Sequence, residues 1–147
     1  MSENRSVDKN LCDRFLAALT GCFSDETGKF KENAASKLLP DLKKEDLPSI
    51  RRYEQEPTGD QLDGLIRACD SFDSGWLRTG LIDEGVCERL IQSMQHNRLD
   101  PSSSAKLLFV TKEFFNLVRE HKLMPSRIFI NRFCESYRIP IEEILGK

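Results

Sequence analysis

Residues 50–68 read IRRYEQEPTGDQLDGLIRA, and residues 76–80 read WLRTG. The Pro-Thr-Gly sequence at 57–59 favours a turn, because these residue types fit turn conformations and interrupt helices. Behind it, apolar side chains recur at the spacing of a helix, at Leu62, Leu65, Ile66 and Cys69. This part of the chain therefore predicts a helix before the turn, a second helix over 60–69, and a short closing unit around Trp76, whose side chain we expect in the core.

Two further helices are predicted upstream of Pro40. One covers 8–22 and the other covers 29–39, with a break that contains Gly and Ser between them. Both have apolar residues at helical spacing: Leu11, Cys12, Phe15, Leu16 and Leu19 in the first, and Phe30, Ala34, Ala35 and Leu38 in the second. Pro40 ends the second helix, because a proline disfavours the helical conformation of the residue before it.

A short helix is predicted over 46–54. Asp46 is a favourable N-cap residue, and Pro48 is tolerated in the first turn of a helix. Ile50 and Tyr53 are three residues apart. We expect both side chains to face the core, since residues at this spacing share one face of a helix.

Residues 10–80 resemble the helix-turn-helix domain of the phage-repressor-like family, of the lambda-repressor, Cro and XRE type. The residues that carry the resemblance are Ala35, Leu38, Ile50, Arg52-Tyr53-Glu54, Pro57, Leu62, Leu65, Ala68, Trp76-Leu77 and Thr79-Gly80. In that family such residues hold the helices together. The resemblance implies an all-α fold with a five-helix helix-turn-helix domain over 1–80. It also implies a sequence-specific DNA-binding transcriptional regulator of phage or mobile-element type.

The candidate DNA-binding residues lie on the helix over 46–54 and in the turn before it. A helix-turn-helix protein places its third helix in the major groove of double-stranded DNA. Arginine is the best reader of guanine O6 and N7, and serine bonds to bases or phosphates. Lysines in the preceding turn would contact phosphates. The predicted contact residues, which stay outside once Ile50 and Tyr53 face inward, are Lys43, Lys44, Leu47, Ser49, Arg51 and Arg52.

Two features favour an alternative function. The turn over 40–45 is longer than the compact turn of the family, and residues 1–80 contain 12 Lys and Arg against 15 Asp and Glu. DNA-binding domains usually present a basic face, because neutralising phosphates supplies much of their affinity. The alternative is a non-enzymatic protein-interaction module, such as an antirepressor, adaptor or immunity-like protein. In that case Arg51 and Arg52 would pair with neighbouring carboxylates on a solvated face.

Residues 81–147 are predicted to form a helical module for oligomerisation or interaction. Helices are expected over 83–95, along a long stretch after Asp100-Pro101, and after Pro125 and Pro140. Apolar residues are abundant here, namely Phe114, Phe115, Leu117, Val118, Ile128, Phe129, Ile130 and Phe133. They exceed what a unit of this size easily buries, so we expect a homo-oligomer, a dimer or larger. The alternative is that they bury against the first domain within one chain.

Composition and cysteine spacing argue against a membrane protein, a secreted protein, a metal-binding protein and an enzyme. Of the 147 residues 31% are charged and 39% hydrophobic, and the net charge is −2. No apolar run has the length of a membrane span, and the N-terminus lacks the apolar core of a signal peptide, so we expect a cytoplasmic protein without membrane contact. The five cysteines form no Cys-x-x-Cys pair, and we expect buried, reduced thiols. No residue spacing indicates a metal, a cofactor or an enzyme active site.

Overall fold

The computed structural model describes residues 7–25, 27, 29–108 and 110–146, and these residues form an all-α protein, as predicted. Isolated β-bridges pair Ser24 with Phe30 and Phe72 with Pro125. The helices are α1 (Lys9–Phe23), α2 (Glu32–Leu38), α3 (Asp46–Arg51), α4 (Gly59–Ala68), α5 (Ser74–Thr79), α6 (Glu84–His96), α7 (Pro101–Leu108), α8 (Lys112–Arg119), α9 (Arg127–Tyr137) and α10 (Ile141–Leu145).

Most helices are preceded by an N-cap residue whose side chain accepts a hydrogen bond from the backbone N–H three residues further on. Such a cap satisfies a donor that the helix leaves unpaired, and it contributes about 1 kcal/mol. The capping residues are Asp8, Thr58, Asp73, Asp83, Asp100, Thr111 and Ser126. The long helix predicted after Asp100 is divided into α7 and α8, because Thr111 caps a new helix. Phe109, at this break, lies outside the described residues.

Helix α5 ends at Thr79 and is followed by its C-cap residue Gly80, which adopts the left-handed conformation with φ of 81°. Its N–H donates to the Trp76 carbonyl at 2.7 Å. Glycine takes this conformation without the steric penalty that a Cβ brings, and a Cβ here would lie 3.0 Å from the Arg14 guanidinium. Trp76 itself is buried, as predicted.

One apolar core includes residues from both sides of residue 80. Helix α1 contacts α2, α3, α5 and α8. At Gly21, α1 lies close to α8 and to the residues after it. A Cβ added at Gly21 would lie 3.4 Å from Phe114 of α8 and 3.2 Å from Leu123. The Thr111 hydroxyl also donates to the Gly21 carbonyl. Helix α1 therefore serves as a packing surface for both halves of the chain.

The loop between α4 and α5 makes a second connection to residues 81–147. The Ser126 N–H donates to the Ser71 carbonyl at 2.7 Å, and the Asp73 N–H donates to the Met124 carbonyl at 2.8 Å. Beside them, the Ser126 hydroxyl donates to the Asp70 carbonyl at 2.6 Å. These bonds fix the start of α9 against the start of α5.

Four phenylalanines of the second half are buried within the chain. Phe114, Phe115, Phe129 and Phe133 are at most 2% exposed, whereas Ile128 is 47% exposed. Most of this apolar set is therefore buried within one chain, in line with the alternative that it packs against the first half, because α8 packs against α1 and α9 starts against the α4–α5 loop. The homo-oligomer stays a prediction. The division into domains 1–80 and 81–147 stays a prediction, and residues 1–6 and 147 of those ranges lie outside the described residues.

The cysteines fall into two groups. Cys12, Cys87 and Cys134 are free and buried, and burial, followed by the nearby Asp83 carboxylate, raises the pKa of Cys87 to about 11. Cys22 and Cys69, in contrast, form a disulfide. The expectation of reduced thiols is wrong for this pair, because the fold brings the last turn of α1 next to the end of α4.

Candidate nucleic-acid interface

Positive charge is concentrated between residues 29 and 52, which we call the basic segment. It contains seven Lys and Arg against four Asp and Glu, a net charge of +3, whereas the remainder of residues 1–80 contains five against eleven, a net charge of −6. All seven basic side chains are exposed: Lys29, Lys31, Lys37, Lys43, Lys44, Arg51 and Arg52. The acidic total of the first half thus conceals a basic region around α2 and α3. A local charge count would have revealed Lys29, Lys31 and Lys37, which the resemblance to helix-turn-helix proteins did not single out.

The buried face of α3 differs from the predicted one. Leu47 is 2% exposed and Ile50 is fully buried, so the inward pair is Ile50 with the residue three positions before it. The helix ends at Arg51, and Tyr53 has a positive φ of 60° and is 37% exposed. Leu47 is therefore not available to DNA, and the prediction of its orientation was wrong.

Tyr53 packs outside the core on the surface of α1. Its hydroxyl donates to the Asp13 carboxylate at 2.7 Å, and the Lys9 ammonium lies 5.6 Å from its ring centroid. The hydrogen bond to Asp13 stabilises the protonated phenol, which raises the pKa of Tyr53 above its usual value. Tyr53 thus links the end of α3 to α1, in place of the predicted burial.

Asp46 fixes α3 against α4. Its carboxylate accepts hydrogen bonds from the Lys43 N–H at 2.8 Å, from Gln55 Nε2 at 3.1 Å and from Gln61 Nε2 at 2.9 Å. Asp46 was predicted as the N-cap, but it is the first helical residue; the N-cap Glu45 makes no capping bond with its side chain. Since Gln61 is buried in the first turn of α4, Asp46 holds the turn before α3 at a defined position.

The two arginines have different surroundings. The Arg51 guanidinium lies 5.9 Å from the centroid of the Phe30 ring, a cation–π distance. Arg52 donates from two nitrogens to the Glu54 carboxylate, at 3.1 and 3.2 Å. More than half of each side chain of this ion pair is exposed, and exposed pairs contribute only about 0–1 kcal/mol. Exchanging Glu54 for a phosphate would therefore cost little.

The remaining predicted contact residues lie beside α3. Lys43 and Lys44 are exposed in the turn before the helix, and Ser49 is half-buried on it. The Ser49 carbonyl accepts from the Glu54 N–H at 2.8 Å. Of the six predicted residues, five are thus at least partly accessible around one short helix, and Leu47 is the exception.

Helix α2 also turns a different face inward than predicted. Ala35 and Leu39 are buried, whereas Ala34 is exposed and Leu38 is 58% exposed. The connection from α2 to α3 is seven residues long, and buried Leu39 and Leu42 hold it against the core. Both helices contact α1, which places the long turn and its lysines on a fixed support.

Other kinds of site have less support in the described part of the chain. No group of three or more His, Cys, Asp or Glu side chains there is arranged to hold a metal ion. An open groove of about 730 Å³ runs between α1, α5 and the end of α8. Arg14 lies at this groove, but its guanidinium already donates to the Leu77 carbonyl at 3.0 Å and to the Arg78 carbonyl at 3.2 Å.

No protein-family model, curated protein or solved structure matches the chain. Among the helices of the described residues, none has both the length and the apolar character needed to cross a lipid bilayer.

Proposed function

We propose that the protein is a non-enzymatic, sequence-specific DNA-binding transcriptional regulator of phage or mobile-element type, and that the basic segment is its DNA contact surface. The observation that carries the proposal is the exposure of all seven basic side chains of this segment, within a half of the chain that is otherwise acidic. Phosphates attract such a surface, and the acidic remainder disfavours other modes of approach.

Within this surface, the position of each residue suggests its role. Lys43 and Lys44 precede α3 and would contact phosphates, as lysines do in fixing the register of a protein on DNA. Arg51, at the end of α3, is the candidate base reader, because a guanidinium can donate two hydrogen bonds to guanine. Arg52 and Ser49 would make supporting contacts to phosphates or base edges.

The test is a binding titration of the full chain with duplex DNA from upstream of its own coding region. Fluorescence anisotropy at two or more salt concentrations gives both the affinity and its salt dependence. We expect Lys43→Ala/Lys44→Ala to weaken binding to all sequences and to reduce the salt slope by about two. The matched control is Lys112→Ala/Arg127→Ala, which removes two exposed charges from the second half and should leave binding unchanged.

A second candidate function is a protein-interaction module. The observation that favours it is the exposed apolar surface of α2, where Leu38 is 58% exposed and Ala34 lies one helical turn before it. Absence of DNA affinity at low salt in the folded native protein would contradict the first proposal and support this one.

A further inference from the structure

The Cys22–Cys69 disulfide encloses the whole basic segment. Cys22 lies in the last turn of α1, Cys69 follows α4, and the two are 47 positions apart in the sequence. The enclosed chain contains α2, α3 and the lysine-bearing turn between them. The two ends of the candidate DNA-binding surface are therefore joined by a covalent bond.

The enclosed helices depend on being held from outside. Helix α2 has seven residues and α3 has six, and neither has a side-chain N-cap. Helices of this length are unstable on their own in water. Near the disulfide, the segment is held by a hydrogen bond from the Lys31 N–H to the Phe23 carbonyl and by the bridge between Ser24 and Phe30. Order in the basic segment therefore rests on its contacts with the core through residues such as Leu47 and Ile50, on these attachments, and on the disulfide beside them.

Cys22 and Cys69 are also more accessible than the other cysteines. Both are half-buried, whereas Cys12, Cys87 and Cys134 are at most 5% exposed. Cys22 and Cys69 both line a cavity of about 260 Å³, together with residues that include Ser71 and Thr111. A small thiol can approach this pair, while the three free thiols are shielded from reaction.

We propose that the Cys22–Cys69 pair is a reversible redox switch of the basic segment, in which the disulfide orders the DNA-contact surface and its reduction loosens that surface. Disulfides in compartments kept reducing by glutathione are typically transient and redox-sensing. The consequence for DNA affinity rests on the function proposed above, whereas the effect on the order of the segment does not.

The chemistry is thiol–disulfide exchange with a small-molecule disulfide such as oxidised glutathione. One cysteine thiolate attacks a sulfur of the small disulfide, forms a mixed disulfide and releases one thiolate. The second cysteine thiolate then attacks the protein sulfur of the mixed disulfide, which forms Cys22–Cys69 and releases the second small thiolate. Two electrons pass from the protein to the small disulfide, and the two protons lost by the cysteines are taken up by the released thiolates. Reduction by excess glutathione reverses both steps.

The first measurement follows the pair and the segment without DNA. The full chain is equilibrated at a series of ratios of reduced to oxidised glutathione, and free thiols are alkylated and located by mass spectrometry. Hydrogen exchange is then compared between the two forms. We expect Cys22 and Cys69 to change together, and protection over 29–52 to fall by about tenfold on reduction, while that of α9 stays constant. A pair that never forms, or equal exchange over 29–52 in both forms, would overturn the proposal.

The second measurement compares DNA binding of the oxidised and reduced protein. We expect affinity about fivefold or more lower in the reduced form. Cys22→Ser/Cys69→Ser should bind like the reduced protein at every glutathione ratio, and Cys87→Ser should respond like the native chain. The native protein in its two redox forms keeps the comparison valid even where a serine variant is poorly folded.

The outcomes separate the two proposals. Redox-dependent exchange over 29–52 with no DNA affinity in either form would support the switch and contradict DNA binding. Equal DNA affinity in both forms of a protein that does bind DNA would contradict the switch and leave the DNA-binding proposal intact.

Discussion

At Asp46, one carboxylate accepts three hydrogen bonds from three different parts of the first half of the chain. Its partners are the turn before α3, the loop after it and the first turn of α4. An amide in its place presents one oxygen and one NH2 group to three donors, so at least one donor loses its partner. The position therefore requires an acceptor on both of its terminal atoms.

We expect Asp46→Asn to lower the free energy of unfolding by about 1–3 kcal/mol, the cost of leaving a partly buried donor unpaired. Urea unfolding followed by circular dichroism measures it. Glu45→Gln is the matched control, because the exposed Glu45 side chain makes no capping bond. Equal stability of both variants would show that Asp46 contributes nothing beyond its exposed neighbour.

Trp76 is the second residue whose role follows from its surroundings. It is 2% exposed, and its ring lies edge-on to Phe72 with centroids 6.3 Å apart. We expect Trp76→Ala to lower the free energy of unfolding by about 3–5 kcal/mol. Leu81→Ala is the comparison, since Leu81 is 77% exposed and its truncation should change stability by less than about 0.5 kcal/mol. An unchanged urea midpoint for Trp76→Ala would place this ring outside the core.

Among the helices, sequence periodicity succeeds where a helix is long and capped. Helix α1, predicted over 8–22, spans Lys9–Phe23, and α6, predicted over 83–95, spans Glu84–His96. It fails for α3, because in a six-residue helix Ile50 can share its face with the residue three before it or three after it. The positive φ of Tyr53 decides between them, and no side-chain pattern encodes that angle.

The candidate site was predicted in part, because some of its features follow from local sequence and others depend on long-range packing. Exposed Lys43, Lys44, Arg51 and Arg52 follow from residue type and position. The pairing of Cys22 with Cys69 does not, because it depends on the fold bringing the last turn of α1 next to the end of α4, over a separation of 47 residues. Contacts of that range are set by the whole fold and leave no local pattern in the sequence.

At the end of α3, we expect Arg51 and the Arg52–Glu54 ion pair to affect DNA binding in different ways. Arg51→Ala should cost about 1–3 kcal/mol at the specific site and relax the base preference there. Glu54→Gln should instead raise affinity for all sequences, because it releases Arg52 from its ion pair and removes a negative charge. Anisotropy titrations with the specific duplex and with mismatched duplexes measure both.

Arg67→Ala is the control for Arg51→Ala and Glu54→Gln, since Arg67 is exposed on α4 outside the basic segment. It should leave both affinity and base preference unchanged. If Arg51→Ala/Arg52→Ala stays folded and binds the specific duplex as tightly as the native chain, α3 does not contact DNA.

For the whole molecule, the expected dimer or larger oligomer would form through a smaller exposed apolar surface than the sequence alone predicts. Leu107 is 50% exposed and Ile128 is 47% exposed, whereas the four phenylalanines of α8 and α9 are buried. We expect the native chain to sediment as a dimer or larger, and Leu107→Ser/Ile128→Ser to shift it towards the monomer. Leu38→Ser, which changes an exposed leucine of the first half, is the control. A monomeric native chain at micromolar concentration would contradict the proposal.

The shared role of α1 has a consequence for what happens when the backbone is cut. The link between α5 and α6 is exposed at Leu81, and chain cleavage there interrupts no helix. Two self-contained domains would drift apart after such a nick. Here each fragment presents its partner with a matching apolar face, so we expect the pieces to co-elute in size-exclusion chromatography and to separate only in denaturant. The same property would let the two fragments, expressed from separate genes, complement each other to rebuild the intact fold.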